Sequence, residues 1–235
     1  MMPIVILAGG LAQRLRPLTD NIPKSLILIN NKPFVDWQLH LLREKGITKV
    51  LFCLSYKSQM IENHVGDGSR YDLDIKYSLD GPEALGTGGA IKKALPILEN
   101  KFMVLYGDSY LDLNYEQTES VFLSCDKPAM MTVYKNDGNY DKSNIKFTKN
   151  RIEKYEKSSS DPNLTYIDYG LSFFTKEVFE QKMFVDRFDL SDLCGNLIEN
   201  DRMYGHEVFE RYYEIGSYKG IKDISKHLKG SKNVI

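Results

Sequence analysis

The chain has 235 residues, and its 31 basic and 32 acidic side chains give a formal net charge of −1 at pH 7. A hydrophobic fraction of 42% and a charged fraction of 27% are typical of a globular protein with a sizeable core. The near-neutral charge argues against a general nucleic-acid or membrane surface, and no apolar run approaches the roughly 18 residues of a membrane-spanning helix. The three cysteines are widely spaced and indicate neither a disulfide framework nor a zinc site, so we expect a cytoplasmic protein.

The first predicted element is the apolar run Ile4–Leu7, whose β-branched residues are typical of a buried strand. Residues 8–10, Ala-Gly-Gly, follow it and let the backbone turn sharply and approach a ligand closely. The cations Arg14 and Lys24 follow in the next segment. Small residues beside cations suit a polyphosphate, but an ordinary strand-to-loop turn with surface cations would look the same, so the pattern alone leaves both interpretations open.

Predicted strands and helices then alternate as far as Tyr106. Strands are expected over 49–54, 74–78 and 102–106, and helices over 35–44, 58–65 and 87–98, the last with Thr87 as its N-cap. Strands joined by helices predict a mostly parallel sheet, whose ligands bind beyond the carboxyl ends of the strands. The loop after Leu7 and the pair Gly107-Asp108 both lie at such an end.

The pattern changes after residue 126. A strand is predicted over 129–134, a hairpin over 144–155, and a strand over 166–174 that contains Gly170. A glycine inside a strand often marks close approach to a ligand. A helix over 190–199, a strand over 203–208 and a helix over 217–228 complete the prediction.

The opening thirty residues carry the most specific motif of the chain. They contain Leu7-Ala8-Gly9-Gly10, Arg14-Leu15, Pro17-Leu18-Thr19, Pro23-Lys24 and Lys32-Pro33. These residues resemble the motif LAGGxGTRLxPLTxxxPKxLxPIxxKP of the sugar-1-phosphate nucleotidylyltransferases. Ala12-Gln13 replaces the Gly-Thr of that motif, which leaves the loop with less backbone freedom and without a hydroxyl group.

The resemblance implies a Rossmann-like α/β nucleotidyltransferase fold. A mixed, mostly parallel central sheet would be flanked by helices and carry a small sugar-binding annex. Residues 1–235 would form a single domain, with a nucleotide-binding core over 1–126 and a sugar-binding and completing part over 127–235. The implied substrates are an NTP and a sugar 1-phosphate, which would give an NDP-sugar and pyrophosphate. No nucleic-acid or membrane partner is expected, and the protein would be a monomer or small homo-oligomer.

The resemblance also implies which residues contact the nucleotide. Taken alone, the loop over 85–90 would also suit a well-capped helix start, and Glu83 is an alternative to Asp80 beside the base. The expected nucleotide-binding residues are Leu7, Ala8, Gly9, Gly10, Asp80, Gly86, Thr87 and Gly88.

Three residues have implied catalytic roles. Arg14 would bind the triphosphate, Lys24 would hold the phosphate of the sugar, and Asp108 would hold Mg²⁺, the expected cofactor. Glu214, which stands where the family has aspartate, would be the second magnesium ligand. On residue type alone, Asp108 could be a turn aspartate and Glu214 an exposed residue at a strand end.

Five residues would contact the sugar phosphate. Without the resemblance, those near the predicted hairpin would be interpreted as a solvated charged surface. The expected residues are Gly107, Glu156, Lys157, Asp168 and Gly170.

The base and the sugar remain open at this stage. The stretch LGTGGAI over 85–91 resembles short bacterial enzymes that activate heptose 1-phosphate with GTP, which favours GTP and D-glycero-α-D-manno-heptose 1-phosphate. CTP- or UTP-dependent enzymes are the alternative. Two other classes are a glycosyltransferase that uses Asp108 and Asp112 as an acidic pair, and a non-catalytic nucleotide-binding module, suggested by Ala12-Gln13 and Glu214.

Overall fold

A computed structural model describes residues 1–10, 12–136, 138–156, 161–181 and 185–230. The described helices, α1 to α6, are Phe34–Glu44, Ser58–Val65, Gly86–Ala94, Tyr115–Ser124, Leu190–Glu199 and Tyr218–Gly230. The described strands, β1 to β13, are Ile4–Leu7, Leu28–Ile29, Lys32–Pro33, Lys49–Leu54, Asp74–Leu79, Lys101–Tyr106, Ser109–Tyr110, Ala129–Lys135, Ile145–Thr148, Arg151–Tyr155, Tyr166–Thr175, Met203–Val208 and Tyr213–Glu214.

Within the described ranges, nine strands form one sheet. Seven follow the order β10-β9-β11-β6-β1-β4-β5, and β8 pairs with both β11 and β12. The strands β5, β4, β1 and β6 are parallel, and β11 joins β6 in the antiparallel direction. Strands from both predicted parts of the chain, 1–126 and 127–235, therefore lie in the same mixed sheet, and the predicted α/β class is confirmed.

The sheet separates two apolar layers, as the alternation of β1 shows. Ile4 and Ile6 pack in a cluster that includes the apolar face of α1, whereas Val5 and Leu7 pack in a cluster with α3 and α5. All four side chains of β1 are buried, because helices cover both faces of a parallel sheet. A third cluster lies around α6 and the loops between β1 and α1, and includes Leu15.

Most predicted elements are present, with two differences among the helices. Helix α4 was not predicted. The helix predicted over 87–98 ends at Ala94 and continues as a 3-10 turn over Leu95–Ile97. Pro96 has no N–H group for the next bond of the α-helix, which explains the early end. No described helix has both the length and the apolar character that crossing a membrane requires.

Candidate active site

A cleft of about 350 Å³ opens where β1 and β6 end. It contains residues from both predicted nucleotide-binding loops and from the turn after β6. The lining residues are Leu7, Ala8, Gly9, Gly10, Lys24, Ser25, Cys53, Asp80, Ala84, Gly86, Thr87, Ala90, Tyr106, Gly107, Asp108 and Asp189.

The loop after β1 lies directly against the turn after β6. Leu7 is opposite Tyr106 in the parallel pairing, and Gly107 N donates a hydrogen bond of 2.9 Å to Leu7 O. A Cβ atom on Gly107 would lie 2.8 Å from the Cβ atom of Ala8, which is closer than two carbons can approach. Glycine is therefore required at position 107 for the two loops to meet.

Lys24 and Asp108 form an ion pair inside the cleft. The distance from Lys24 Nζ to Asp108 Oδ2 is 2.8 Å, and the side chains are 20% and 30% exposed. A partly exposed ion pair contributes little to folding stability. Its consequence here is positional, because each side chain fixes the other at the mouth of the cleft.

Arg14 and Glu214 approach the same place. A Cβ atom on Gly216 would lie 3.5 Å from Arg14 Nη2, 3.5 Å from Asp108 Oδ2 and 2.6 Å from Glu214 Oε2. The three charged groups thus surround Gly216, where a larger side chain would occupy the space between them. The fold thus brings together Arg14 and Glu214, which are 200 positions apart in the sequence.

The loop that carries Arg14 contains the departure from the family motif. Ala12 has φ 49° and ψ 39°, in the left-handed region, which costs an L-residue about 1 kcal/mol. Thr19 Oγ1 donates a hydrogen bond of 3.0 Å to Ala12 O, and Lys57 Nζ donates one of 2.6 Å to Asp20 O. The loop therefore keeps a left-handed turn without glycine, held by these side-chain contacts.

Glu214 is positioned by strand pairing and by a helix. β13 pairs with β7 so that Glu214 is opposite Ser109, and Ile215 N donates a 3.0 Å hydrogen bond to Asp108 O. Glu214 Oε1 accepts a bond of 2.6 Å from Ser217 Oγ, and Oε2 accepts one from Gly216 N. The carboxylate is thus held at the beginning of α6, rather than standing free at a strand end.

We expect Glu214→Gln to destabilise the protein by about 1–2 kcal/mol, because an amide can accept from only one of the two donors and turns its NH₂ group toward the other. Urea unfolding monitored by circular dichroism measures the change. Glu210→Gln is the control, since Glu210 is exposed and precedes β13. Equal stabilities of the two variants would contradict the anchoring role of Glu214.

The carboxylates of Asp108 and Glu214 fit a magnesium site. Mg²⁺ is a hard cation that proteins bind through one or two carboxylates, the other positions being filled by water and substrate phosphates. The described residues include no cluster of three or more histidine, cysteine, aspartate or glutamate side chains suited to a metal ion. The ion would therefore depend on two carboxylates and on the substrates.

The second glycine loop packs against a segment that sequence analysis did not connect with it. Gly88 N and Gly89 N donate hydrogen bonds of 3.0 and 3.1 Å to Phe188 O. A Cβ atom on Gly88 would overlap the ring of Phe188, and one on Gly86, at φ +75°, would lie 2.5 Å from Phe188 O. Gly86 lines the cleft, whereas Gly88 lies buried against Phe188.

The prediction that Thr87 is the N-cap of α3 is wrong. Leu85 is the N-cap, and Thr87 lies within the first turn. Thr87 Oγ1 instead accepts a hydrogen bond of 2.8 Å from Leu190 N, at the beginning of α5. The hydroxyl group satisfies a backbone donor of a helix that is about a hundred residues distant in the sequence.

Removing this hydroxyl should loosen α5 against α3. We expect Thr87→Val to lower the free energy of unfolding by about 1 kcal/mol, because Leu190 N loses its acceptor. Thr87→Ser, which keeps the oxygen, should retain most of the stability. Thermal unfolding of the two variants beside the wild type checks the prediction, which is contradicted if valine and serine behave alike.

Asp80 lines the cleft at the end of β5, whereas the alternative, Glu83, is exposed. Asp80 N donates a hydrogen bond of 2.9 Å to Leu54 O, and Asp80 Oδ2 accepts one of 3.0 Å from Leu85 N. Burial raises the pKa of the Asp80 carboxyl, and the Leu85 amide opposes this shift. Asp80 is thus fixed between the end of β4 and the residue that precedes α3.

Asp168 and Gly170 lie in a bulge of β11. Between Asp168 and Ser172, β11 gains two residues relative to β8. Gly170 has φ +101°, its N donates a 3.0 Å bond to Asp168 Oδ1, and a Cβ atom there would lie 3.3 Å from Ser109 Oγ. The bulge therefore brings Asp168 and Gly170 beside the turn that carries Asp108.

Of the remaining predicted sugar-phosphate residues, Glu156 directly follows β10. Glu156 N donates a hydrogen bond of 2.9 Å to Asn144 O, and its Oε1 pairs with Lys154 Nζ at 2.9 Å. Lys157 lies outside the described residues. The roles of Glu156 and Lys157 stay predictions.

Several lining residues were not predicted from sequence. Tyr106 directly precedes Gly107, so its place at a strand end was a usable signal. Burial, followed by the charge of Asp168, raises the pKa of Tyr106 well above its ordinary value, and burial raises that of Cys53 to about 12. Both groups stay protonated near neutral pH. Asp189 reaches the cleft only because α5 packs on α3, which nothing in the sequence indicated.

The fold and the cleft are those of an enzyme that transfers nucleotidyl groups. Residues 4–230 match the model of the family described as Nucleotidyl transferase, and the chain belongs to that family. Its relatives are sugar-phosphate guanylyl- and uridylyltransferases, so the protein is a sugar-1-phosphate nucleotidyltransferase. The resemblance of the opening motif is thereby confirmed.

Three comparisons describe the similarity. D-glycero-alpha-D-manno-heptose 1-phosphate guanylyltransferase of Campylobacter jejuni is 32% identical over 192 residues, 81% of this chain and 84% of that enzyme. N-acetylmuramate alpha-1-phosphate uridylyltransferase of Neisseria meningitidis is 38% identical over 115 residues, 48% of this chain and 50% of that enzyme. The crystal structure of HddC from Yersinia pseudotuberculosis, 25% identical, superposes with a TM-score of 0.78 over 97% of this chain and 100% of HddC.

Proposed function

We propose that the enzyme transfers a guanylyl group from GTP to D-glycero-α-D-manno-heptose 1-phosphate or a closely related sugar 1-phosphate. The observation that carries the proposal is the convergence of Arg14, Lys24, Asp108 and Glu214 at the ends of β1 and β6. The similarity to the Campylobacter enzyme over most of both chains supports the choice of heptose, and a structure of HddC complexed with GMP-PN supports that of GTP.

The reaction needs no covalent intermediate on the enzyme. An oxygen of the sugar phosphate attacks the α-phosphorus of the nucleotide, and the bond from that phosphorus to the bridging oxygen breaks and releases pyrophosphate. The acceleration then comes from positioning and from neutralising charge. The cations, carboxylates and backbone amides around the cleft are suited to both tasks.

Each charged residue has a separate role in this proposal. Arg14 binds the triphosphate and the charge that develops on departing pyrophosphate, and Lys24 orients the attacking phosphate. Asp108 and Glu214 would hold Mg²⁺, which when bound supplies positive charge to the phosphates of both substrates. The small residues at 8–10 let the triphosphate approach the backbone N–H groups.

The other side of the cleft would receive the nucleoside and the sugar. Asp80, Gly86 and Thr87 form one wall, which would face the base and ribose. Asp168 and Gly170 lie beyond Tyr106, where a sugar attached to the attacking phosphate would extend.

A uridylyltransferase is the second candidate, favoured by the 38% identity to the Neisseria enzyme. The glycosyltransferase alternative has less support, because Asp112 pairs with Lys45 at 2.5 Å and lies apart from the residues that line the cleft.

Pyrophosphate release distinguishes the candidates. The enzyme would be assayed with GTP, CTP, UTP and dTTP against heptose, mannose, glucose and N-acetylmuramate 1-phosphates in the presence of Mg²⁺. We expect the highest kcat/KM with GTP and heptose 1-phosphate, and no turnover in excess chelator. A preference for UTP with N-acetylmuramate 1-phosphate would replace the proposed specificity, and failure of every pair would overturn the proposed function.

A further inference from the structure

We infer that Gln38, a residue on α1 behind the cleft, positions the turn that carries Asp108; the functional part of this inference rests on the proposed nucleotidyl transfer. Gln38 is 2% exposed, which is unusual for a glutamine. It lies between two apolar stripes of α1, one packed against the sheet through Leu39 and the other against α6 through Leu41. Its side chain is therefore directed at the end of β6, where the parallel strands have their carboxyl ends.

Both hydrogen bonds of Gln38 go to the same turn. Its Nε2 donates to Tyr106 O at 3.2 Å and to Ser109 O at 2.7 Å. These two carbonyl groups bracket Gly107 and Asp108, the residues between β6 and β7. One rigid amide group thus connects the beginning of the turn with its end.

The orientation of the amide follows from its partners. Two carbonyl oxygens can only accept, so the NH₂ group and not the oxygen must face them. Gln38 Oε1 is buried and has no hydrogen-bond partner among the described residues. Burying Gln38 Oε1 without a partner costs free energy. The two hydrogen bonds that Nε2 donates to the turn offset this cost.

The turn is held from its other sides as well. Ile215 N donates a 3.0 Å hydrogen bond to Asp108 O, and Gly107 N donates one of 2.9 Å to Leu7 O. Without Gln38, the carbonyl groups of Tyr106 and Ser109 would lose the bonds that fix the turn from behind. Asp108 could then rotate away from Lys24, although neither residue would itself be changed.

Gln38 is therefore a positioning residue and touches no substrate. A displacement of a reacting group by about 1 Å can cost up to about 100-fold in rate. We expect Gln38→Met, which keeps the length of the side chain and removes both donors, to lower kcat by at least tenfold and to leave KM for either substrate within threefold. If Gln38 contributed only to folding, kcat and KM of the correctly folded Gln38→Met protein would both equal the wild-type values.

The matched control is Trp37→Phe, on the same helix. Trp37 Nε1 donates a 2.9 Å hydrogen bond to Ile29 O, which lies in β2 and outside the cleft. This variant also removes one buried donor from a backbone carbonyl, so it reproduces the loss of stability without affecting the turn. We expect its kcat to stay within threefold of wild type. Equal kcat values for the two variants would overturn the inference.

A measurement on unliganded wild type tests the contact without relying on activity or on a variant that folds poorly. The side-chain amide protons of Gln38 should exchange with solvent at least 100-fold more slowly than those of Gln59, whose amide lies at the surface. In Gln38→Met, the ¹⁵N–¹H resonance of Gly107 should shift, and in Trp37→Phe it should not. Rapid exchange at Gln38, or an unshifted Gly107 resonance, would overturn the inference whatever the substrates of the enzyme prove to be.

Discussion

Asp108→Asn should lower kcat by at least about 10³-fold while the fold is retained. Asparagine has the size of aspartate but no charge, so it can neither pair with Lys24, now 2.8 Å away, nor attract a hard cation. Pyrophosphate release under saturating substrates measures the loss. Because the carboxylate is 30% exposed, its ion pair contributes little to the free energy of unfolding, and the thermal midpoint should change little.

Asp112→Asn is the matched control for this prediction. Asp112 is four residues further along the chain and pairs with Lys45 instead of a residue of the cleft. Its variant should retain kcat within a few-fold of wild type. If Asp108→Asn kept more than about a tenth of the wild-type rate, the carboxylate at the end of β6 would have no essential part in the reaction.

Lys24→Ala should lower kcat/KM by about 10²-fold or more, and Arg14→Ala by a similar amount. Lys24→Ala removes the one basic side chain among the described residues that line the cleft, and Arg14→Ala removes the guanidinium group beside Gly216. Steady-state kinetics with both substrates varied would separate the two residues. We expect Lys24→Ala to act mainly through the sugar phosphate and Arg14→Ala mainly through the nucleotide.

The control for Lys24→Ala is Lys49→Ala. Lys49 Nζ pairs with Glu99 at 2.7 Å on the surface, so this variant also loses one lysine–carboxylate ion pair. Both variants should unfold at nearly the wild-type temperature, because exposed and partly exposed ion pairs contribute little to stability. A loss of activity shared equally by the two would show that ion pairing as such, and not the place of Lys24, accounts for the effect.

Strands such as β1 and β4 could be predicted closely because each is a run of apolar residues, whereas the two-residue strands β2, β3 and β7 were not predicted. The bounds predicted for β1, β4 and β12 are those of the structure. Helix α4 was missed although Asn114 caps it, because Thr118 stands among its buried residues and weakens the hydrophobic period. The local sequence pattern was sufficient to predict an element whose buried face is uniformly apolar. It was insufficient for an element whose buried face also contains polar residues.

The site could be predicted where it depends on contiguous motifs at strand ends. Residues 7–10 and 107–108 meet because the strands that precede them are parallel neighbours. Asp189 and Gln38 could not be found in this way, because helix packing brings them to the site. The sequence also did not show that Gly88 and Gly89 donate hydrogen bonds to Phe188 O, a hundred residues away. Composition shows that a small residue is needed, but not what approaches it.

The strand order also determines how substrate preference can change. β1, β6 and β11 are neighbours, so the loop at 8–10, the turn at 106–109 and the bulge at 168–172 form a row with steps of about 4.8 Å. The register of β1 and β6 cannot slip by one residue without exchanging the two faces of the sheet, so the loop at 8–10 and the turn at 106–109 keep a fixed relative position. The two additional residues of the bulge are free of that constraint. Under the proposed function, lengthening or shortening the bulge at 168–172 should therefore change the size of sugar that the enzyme accepts. The residues that carry out nucleotidyl transfer would be unaffected.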